Sequence, residues 1–221
     1  MDVAATLLSL VAGYLIGSLS FAVIVSRLSG LPDPRSYGSH NPGATNVLRS
    51  GHRGAAGLTL MLDALKGFLP VLAVLMWGPA YGLGQQTAAF VGLAAFIGHL
   101  WPVFFRFNGG KGVATAAGVL FAINPWLGVA TLATWVIVAA FLRYSSLASI
   151  VAALFAPFYQ ALIWGVQPGV VAIVAMSLLL VWRHEGNIRK LIKGTESRLG
   201  HKPAATSAPP RKGLKSNRTD R

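Results

Sequence analysis

The chain has 221 residues, 54% of them hydrophobic and only 11% charged, with a mean hydropathy of +0.59 and a formal net charge of +13. That balance excludes an ordinary soluble domain and points to an all-α, polytopic membrane protein. The absence of cysteine excludes disulfides and cysteine-based metal sites.

A helix that crosses a hydrocarbon core of roughly 30 Å needs about 20 apolar residues. Runs of that kind predict spans near Val3–Val25, Ala55–Trp77, Gln85–Phe105, Pro125–Leu142, Leu147–Gly165 and Gly169–Trp182. The first lacks a basic leader and is longer than the apolar stretch of a signal peptide, so it is read as an uncleaved helix. Its Gly13 and Gly17 form a small-xxx-small pair suited to close helix packing. Asp63 and Lys66 stand three apart within the second span, where isolated charges are costly, and are read as a structural ion pair. The run Gly112–Ile123 would rise only about 18 Å, which makes it a short crossing or a half-helix.

Charge decides between those two readings. Arg27, Arg35, Arg49 and Arg53 follow the first span, Arg106 and Lys111 the third, Arg143 the fifth, and eleven Lys and Arg residues lie from Arg183 to Arg221. The intervening connections GPAYGLG, Asn124 with its neighbours, and GVQP carry no charge. Basic loops stay cytoplasmic, so the two sets belong on opposite sides. This requires Gly112–Ile123 to cross separately, giving seven transmembrane helices with the N-terminus outside and the C-terminus in the cytoplasm. Residues 1–200 then form the membrane domain, and 201–221, rich in Pro, Ala and Ser, form a basic tail expected to be disordered. Its charge suits anionic lipid; without an aromatic platform it does not suggest nucleic acid.

The same topology collects four polar stretches on the cytoplasmic face: Gly30–Arg53, Arg106–Gly112, Arg143–Ser149 and Arg183–Gly200. In the first, GSHNPGATNVLR, glycines free backbone N–H groups, Ser39, Asn41, Thr45 and Asn46 add neutral donors, and Arg49 offers a fork matched to phosphate oxygens. The alternative is a capped turn. In FRFNGGKGVATAAG, Gly109 and Gly110 deliver Lys111 to a helix start, again a pattern for phosphate. It is no Walker A motif, since Phe105 replaces its first glycine and Gly112 its hydroxyl residue. His99 has no ligand-spaced partner, so metal ligation is not expected, and a hydrogen-bonded structural role is favoured. In WRHEGNIRKLIKGTESRLG, a continuing helix would put His184 and Asn187 on one face, with Glu185 elsewhere.

Together GSHNPGATNVLR, GHLWPVFFRFNGGKGVATAAG and RHEGNIRKLIKGTES, with GLTLMLDALKG in the second span, closely resemble the bacterial acyl-phosphate-dependent glycerol-3-phosphate acyltransferases over residues 13 to 200. The resemblance implies a seven-helix inner-membrane enzyme whose site faces the cytoplasm. Such an enzyme moves a fatty acyl group from acyl phosphate to the sn-1 hydroxyl of glycerol 3-phosphate, releasing phosphate and lysophosphatidic acid, the first step of phospholipid synthesis. It implies no cofactor or metal, and the soluble enzyme that produces acyl phosphate becomes a candidate partner. Carried over by motif, Ser39, Lys111, His184 and Asn187 are the catalytic candidates. Asn41, Thr45, Asn46, Arg49, His99, Gly109, Gly110 and Glu196 are the substrate-binding ones. The chain departs from the family pattern at His40, where glycine is common, and at Arg198, where lysine is frequent. The competing reading is a phosphate or glycerol-phosphate transporter, against which stand the bare opposite face and the lack of matching broken-helix repeats.

Overall fold

The computed structural model describes residues 2–200, so the tail 201–221 lies outside the described residues. The described residues form ten α-helices and two short 3-10 turns, with no strand. They are α1 Val3–Gly17, α2 Phe21–Leu28, α3 Ala44–Arg49, α4 Arg53–Trp77 and α5 Gln85–Leu100, followed by α6 Val113–Ile123, α7 Pro125–Leu142, α8 Ser145–Trp164, α9 Val170–Arg183 and α10 Glu185–Ile192. Four helical segments are long and apolar enough to cross a membrane: Arg53–Tyr81, Gln85–Phe105, Pro125–Leu142 and Ser145–Trp164. The number rises to six if the bent pairs α1–α2 and α9–α10 each count as one span.

The first predicted span is therefore not one straight helix. It bends by 42° between α1 and α2. Ser18 Oγ and Ser18 N both donate to the Tyr14 carbonyl, at 2.8 and 2.9 Å, closing α1, and the chain re-enters helix at Phe21. The break frees the Leu19 carbonyl, which accepts a 2.7 Å hydrogen bond from Lys66 Nζ. Lys66 is buried in α4 and lies 2.8 Å from Asp63 Oδ1, the ion pair expected from their spacing. An irregular backbone at membrane depth thus satisfies a charge that the fold buries.

The second bend, 55° between α9 and α10, falls on His184, so the helix does not run straight on, although His184 and Asn187 still face one cavity. His184 Nδ1 donates to the Leu180 carbonyl at 2.8 Å, while His184 N bonds instead to the Val181 carbonyl at 3.0 Å. The side chain takes the acceptor that its own backbone would have used, and the helix turns there. The third predicted span, Gln85–Phe105, is matched by a candidate span with the same bounds, within which α5 stops at Leu100, before Pro102, and Val103–Phe105 is a 3-10 turn.

Small residues set the helix spacing. A Cβ at Gly17 would collide with the Ala95 carbonyl oxygen, and one at Gly118 with that of Ala64. α1 therefore seats on α5 and α6 on α4 at backbone contact, the geometry that small residues permit inside membranes. The short α6 is almost wholly enclosed by its neighbours, with Thr115, Ala116, Gly118, Val119, Leu120 and Ala122 buried. α7 and α8 instead turn Val136, Ile137, Phe141, Leu154, Phe158 and Leu162 outward, as lipid-facing helices do.

Candidate active site

Residues from all four polar stretches meet at one cavity of about 280 Å³. Ser39, Asn41, Thr45, Asn46 and Arg49 come from the loop before α4, and Lys111 from the approach to α6. Ser145, Ser146 and Ser149 come from the start of α8, and His184, Asn187 and Glu196 from the α9–α10 corner and beyond. Deeper in, the lining turns apolar: Leu120 on α6, Leu132 and Trp135 on α7, Ala152, Ala153 and Ala156 on α8, and Ile173, Met176 and Leu180 on α9. The cavity is thus a cationic, hydrogen-bonding mouth opening into a greasy groove.

The first loop owes its shape to Asn46, which is 2% exposed. Its Nδ2 donates to the carbonyls of Pro34 at 2.6 Å and Tyr37 at 3.1 Å, and its Oδ1 accepts from Ser39 N at 3.0 Å. Both amide hydrogens are used, so Asn46 organises the loop that presents Ser39, Asn41, Thr45 and Arg49. Gly38, at φ +59°, is needed because a Cβ there would strike Asn46 Oδ1. His40 has φ +54°, the left-handed region that glycine adopts freely, so a glycine at this position would be accommodated with less strain. Its Nδ1 donates to the Arg35 carbonyl at 3.0 Å. The other departure, Arg198, stacks over the Tyr144 ring at 5.5 Å and donates to its hydroxyl at 3.1 Å. Arg49, at the end of α3, reaches Ser197 Oγ at 2.7 Å and so ties the first loop to the last.

Gly109 and Gly110 do not line the cavity. Side chains there would strike the His99 carbonyl and the His99 ring, so these positions let the loop lie flat against the end of α5. Arg183 holds it there, donating to the Gly109 carbonyl at 2.9 Å and to the Gly110 carbonyl at 3.0 Å. Sequence reasoning passed over Arg183 as one of many positive charges. Gly112, at φ +81°, packs against Phe96 and opens α6. Lys111 is thereby fixed, partly buried, at the cavity mouth.

Lys111 Nζ donates to Asn187 Oδ1. Asn187 Nδ2 donates to Glu196 Oε1 at 2.7 Å, and Ser146 Oγ donates to the same oxygen at 2.7 Å. Burial pushes the Lys111 ammonium down to about 8; Glu196 opposes that shift, while Lys190, Arg49 and Arg183 add to it. Such a lysine is under-neutralised and favours a bound anion. Ser146 was missed because its signal, the serines of RYSSLAS, lies in a stretch with no glycine or phosphate-type motif.

His184 is 2% exposed and lines the cavity. Because the Leu180 carbonyl can only accept, Nδ1 carries the proton and Nε2 of the neutral ring holds a lone pair. His99 is hydrogen-bonded, as expected: Nδ1 lies 3.2 Å from Thr115 Oγ1 and 3.7 Å from Asp63 Oδ1. Both His99 and Asp63 also border the cavity, which places the buried ion pair nearer the site than its spacing alone suggested.

Comparison with known proteins identifies the family. A family model described as glycerol-3-phosphate acyltransferase matches residues 7–194. The chain is 64% identical to a glycerol-3-phosphate acyltransferase of Paraburkholderia phytofirmans over 90% of its own length and 92% of that protein's. It is 60% identical to one of Ralstonia nicotianae over 92% and 99% of the two chains. Among solved structures it is similar to PlsY, an integral membrane glycerol 3-phosphate acyltransferase, in its glycerol 3-phosphate form, with a TM-score of 0.82 and 37% identity over 89% of this chain and 96% of that one. The lysophosphatidic acid form of PlsY gives a TM-score of 0.81. On the extent and identity of these matches, the chain belongs to the glycerol-3-phosphate acyltransferase family.

Proposed function

We propose that the chain transfers a fatty acyl group from acyl phosphate to the sn-1 hydroxyl of glycerol 3-phosphate, yielding 1-acyl-glycerol 3-phosphate and phosphate. The observation that carries this reading is the junction of the Lys111–Asn187–Glu196 mouth with the apolar groove between α6, α7, α8 and α9. A donor with a phosphate head on a lipid tail fits such a junction, with phosphate against Arg49 and Lys111 and the chain among the helices. The hydroxyl oxygen bonds to the acyl carbon, the bond from that carbon to the phosphate oxygen breaks, and phosphate leaves. Lys111 and loop N–H groups stabilise the charge that develops, and His184 Nε2 accepts the hydroxyl proton. Acyl phosphate is already activated, so a covalent acyl-enzyme would ease little, and Ser39 acts by binding.

In this reading α6 crosses as a separate short element. There are seven spans in a bacterial inner membrane, the N-terminus lies outside, and the site opens to the cytoplasm. The charge pattern supports it, as does the convergence of all four basic stretches on one cavity. Single cysteines introduced at His40, Asn108 and Thr195 should then react with impermeant reagents only from the cytoplasmic side.

Purified protein in detergent should release phosphate and form the lysophospholipid from the two substrates, whereas a transporter would do nothing without a second compartment. Incubation with labelled acyl phosphate alone, followed by denaturation, should leave no acyl ester on the chain. A stoichiometric label on Ser39 that transfers to added glycerol 3-phosphate would replace direct attack with a two-step mechanism.

A further inference from the structure

A second cavity, of about 180 Å³, lies at the opposite end of the bundle. Its lining differs in kind from the groove: Gln85, Gln86, Gln160 and Gln167 supply carboxamides around Ala89 and Ile123. Gln160 is 7% exposed, and its Oε1 has no hydrogen-bond partner among the described residues. Ile173, 2% exposed, is the one residue that borders both cavities.

We propose that Ile173 is the floor of the acyl groove and limits the length of chain the enzyme accepts. The inference rests on the proposed acyl phosphate reading of the groove. From His184 at the mouth to Ile173 on α9 is eleven residues, and from Ser146 to Ala156 on α8 is ten, so both walls give a depth of about 15 Å at 1.5 Å per residue. That is about half of a roughly 30 Å hydrocarbon core, the depth of a single leaflet. A chain that fills the groove meets the Ile173 side chain with Ala156 beside it. Beyond them a methyl end would lie against the unpartnered Gln160 carboxamide, masking it from water without bonding to it. Bulk therefore acts at the floor, and polarity about one helical turn beyond it, since Gln160 follows Ala156 by four residues on α8.

The test is the ratio of kcat/KM for a longer over a shorter saturated acyl phosphate, taken through a homologous series with purified protein. Ile173→Ala joins the two cavities and should raise that ratio roughly tenfold near the wild-type cutoff. Ala156→Leu narrows the floor from the other wall and should lower it, so the two variants move in opposite directions and a general loss of stability cannot mimic both. If Ile173→Ala does not yield folded protein, Ile173→Val and Ala156→Leu carry the comparison. Folded, active variants with the wild-type length profile would overturn the assignment of Ile173 while leaving the function intact. A wild-type protein that turns over no acyl phosphate of any length would overturn the reading of the groove, and this inference with it.

Discussion

Asn187 donates from Nδ2 to Glu196 Oε1 at 2.7 Å while its Oδ1 accepts from Lys111, so one amide joins the lysine and its nearest counter-charge without letting them meet. Lys111 is oriented yet not neutralised by direct contact. A phosphate arriving at the mouth meets a cation whose charge is still largely available, and displacing the neutral amide costs less than breaking an ion pair.

Loss of either mouth cation should therefore be severe. Lys111→Ala or Arg49→Ala removes a charge-assisted contact to phosphate, worth about 2–5 kcal/mol, or roughly 30- to 5,000-fold in kcat/KM. Lys111→Arg should recover little, because a planar fork does not reproduce a point charge on the Asn187 oxygen. Steady-state kinetics with both substrates varied will check this; near-wild-type values for both alanine variants would contradict the assigned roles.

Glu196→Gln should cost about 10- to 100-fold: a Gln oxygen still accepts from Asn187 and Ser146, but each bond falls from the charged range of about 1.5–3 kcal/mol to the neutral range of about 0.5–1.5 kcal/mol. Ser146→Ala removes one donor but leaves the carboxylate and its Asn187 bond, and water entering the partly buried site can replace the hydroxyl, so it should cost about tenfold or less. A Ser146 variant more damaged than Glu196→Gln would break the order of this argument.

The pH response follows from Lys111. Its ammonium titrates at about 8 in the unliganded protein, lowered by burial. Below that pH the lysine is charged and anion binding keeps its full strength. Above it, binding must take up a proton, and affinity falls by up to tenfold per pH unit until the raised pKa of the liganded state is passed. KM for acyl phosphate, whose phosphate is placed against Lys111, should thus rise on the alkaline side. Lys111→Arg, whatever its residual activity, should flatten that limb, and Glu196→Gln, which removes an influence that raises the lysine, should move it to lower pH. An alkaline limb unchanged in Lys111→Arg would assign it to another group.

Helix spacing makes a prediction of opposite signs. Gly118→Ala drives a methyl into the Ala64 carbonyl and should destabilise the fold by about 1–3 kcal/mol, seen as a lower Tm in detergent. Gly57→Ala, on the same helix as Ala64 but with nothing near its Cβ position, should stabilise by about 0.5–1 kcal/mol. Equal shifts for the two would mean that α4 and α6 are not in backbone contact.

Much of the site was legible in one dimension. Hydropathy marks the apolar runs, and the basic residues group the loops after Val25, Phe105, Leu142 and Trp182 on one side, because apolar length and charge are properties a segment has before it packs. Ser39, Arg49, Lys111, His184, Asn187 and Glu196 could be singled out because phosphate chemistry needs few residue types, and all six line the cavity. Tertiary structure alone decided which of these groups remain free. Asn46 carries the same amide as Asn187, yet Pro34 and Tyr37 use both its hydrogens, while Asn187 joins Lys111 to Glu196. Ser146 and Arg183 acquire their roles from partners 50 and 73 residues away, and the Leu19 carbonyl becomes the acceptor for Lys66 only because the first span breaks there. Local composition sets what a residue can offer; whether the offer is spent on the protein or kept for a ligand depends on neighbours that only the packed bundle supplies.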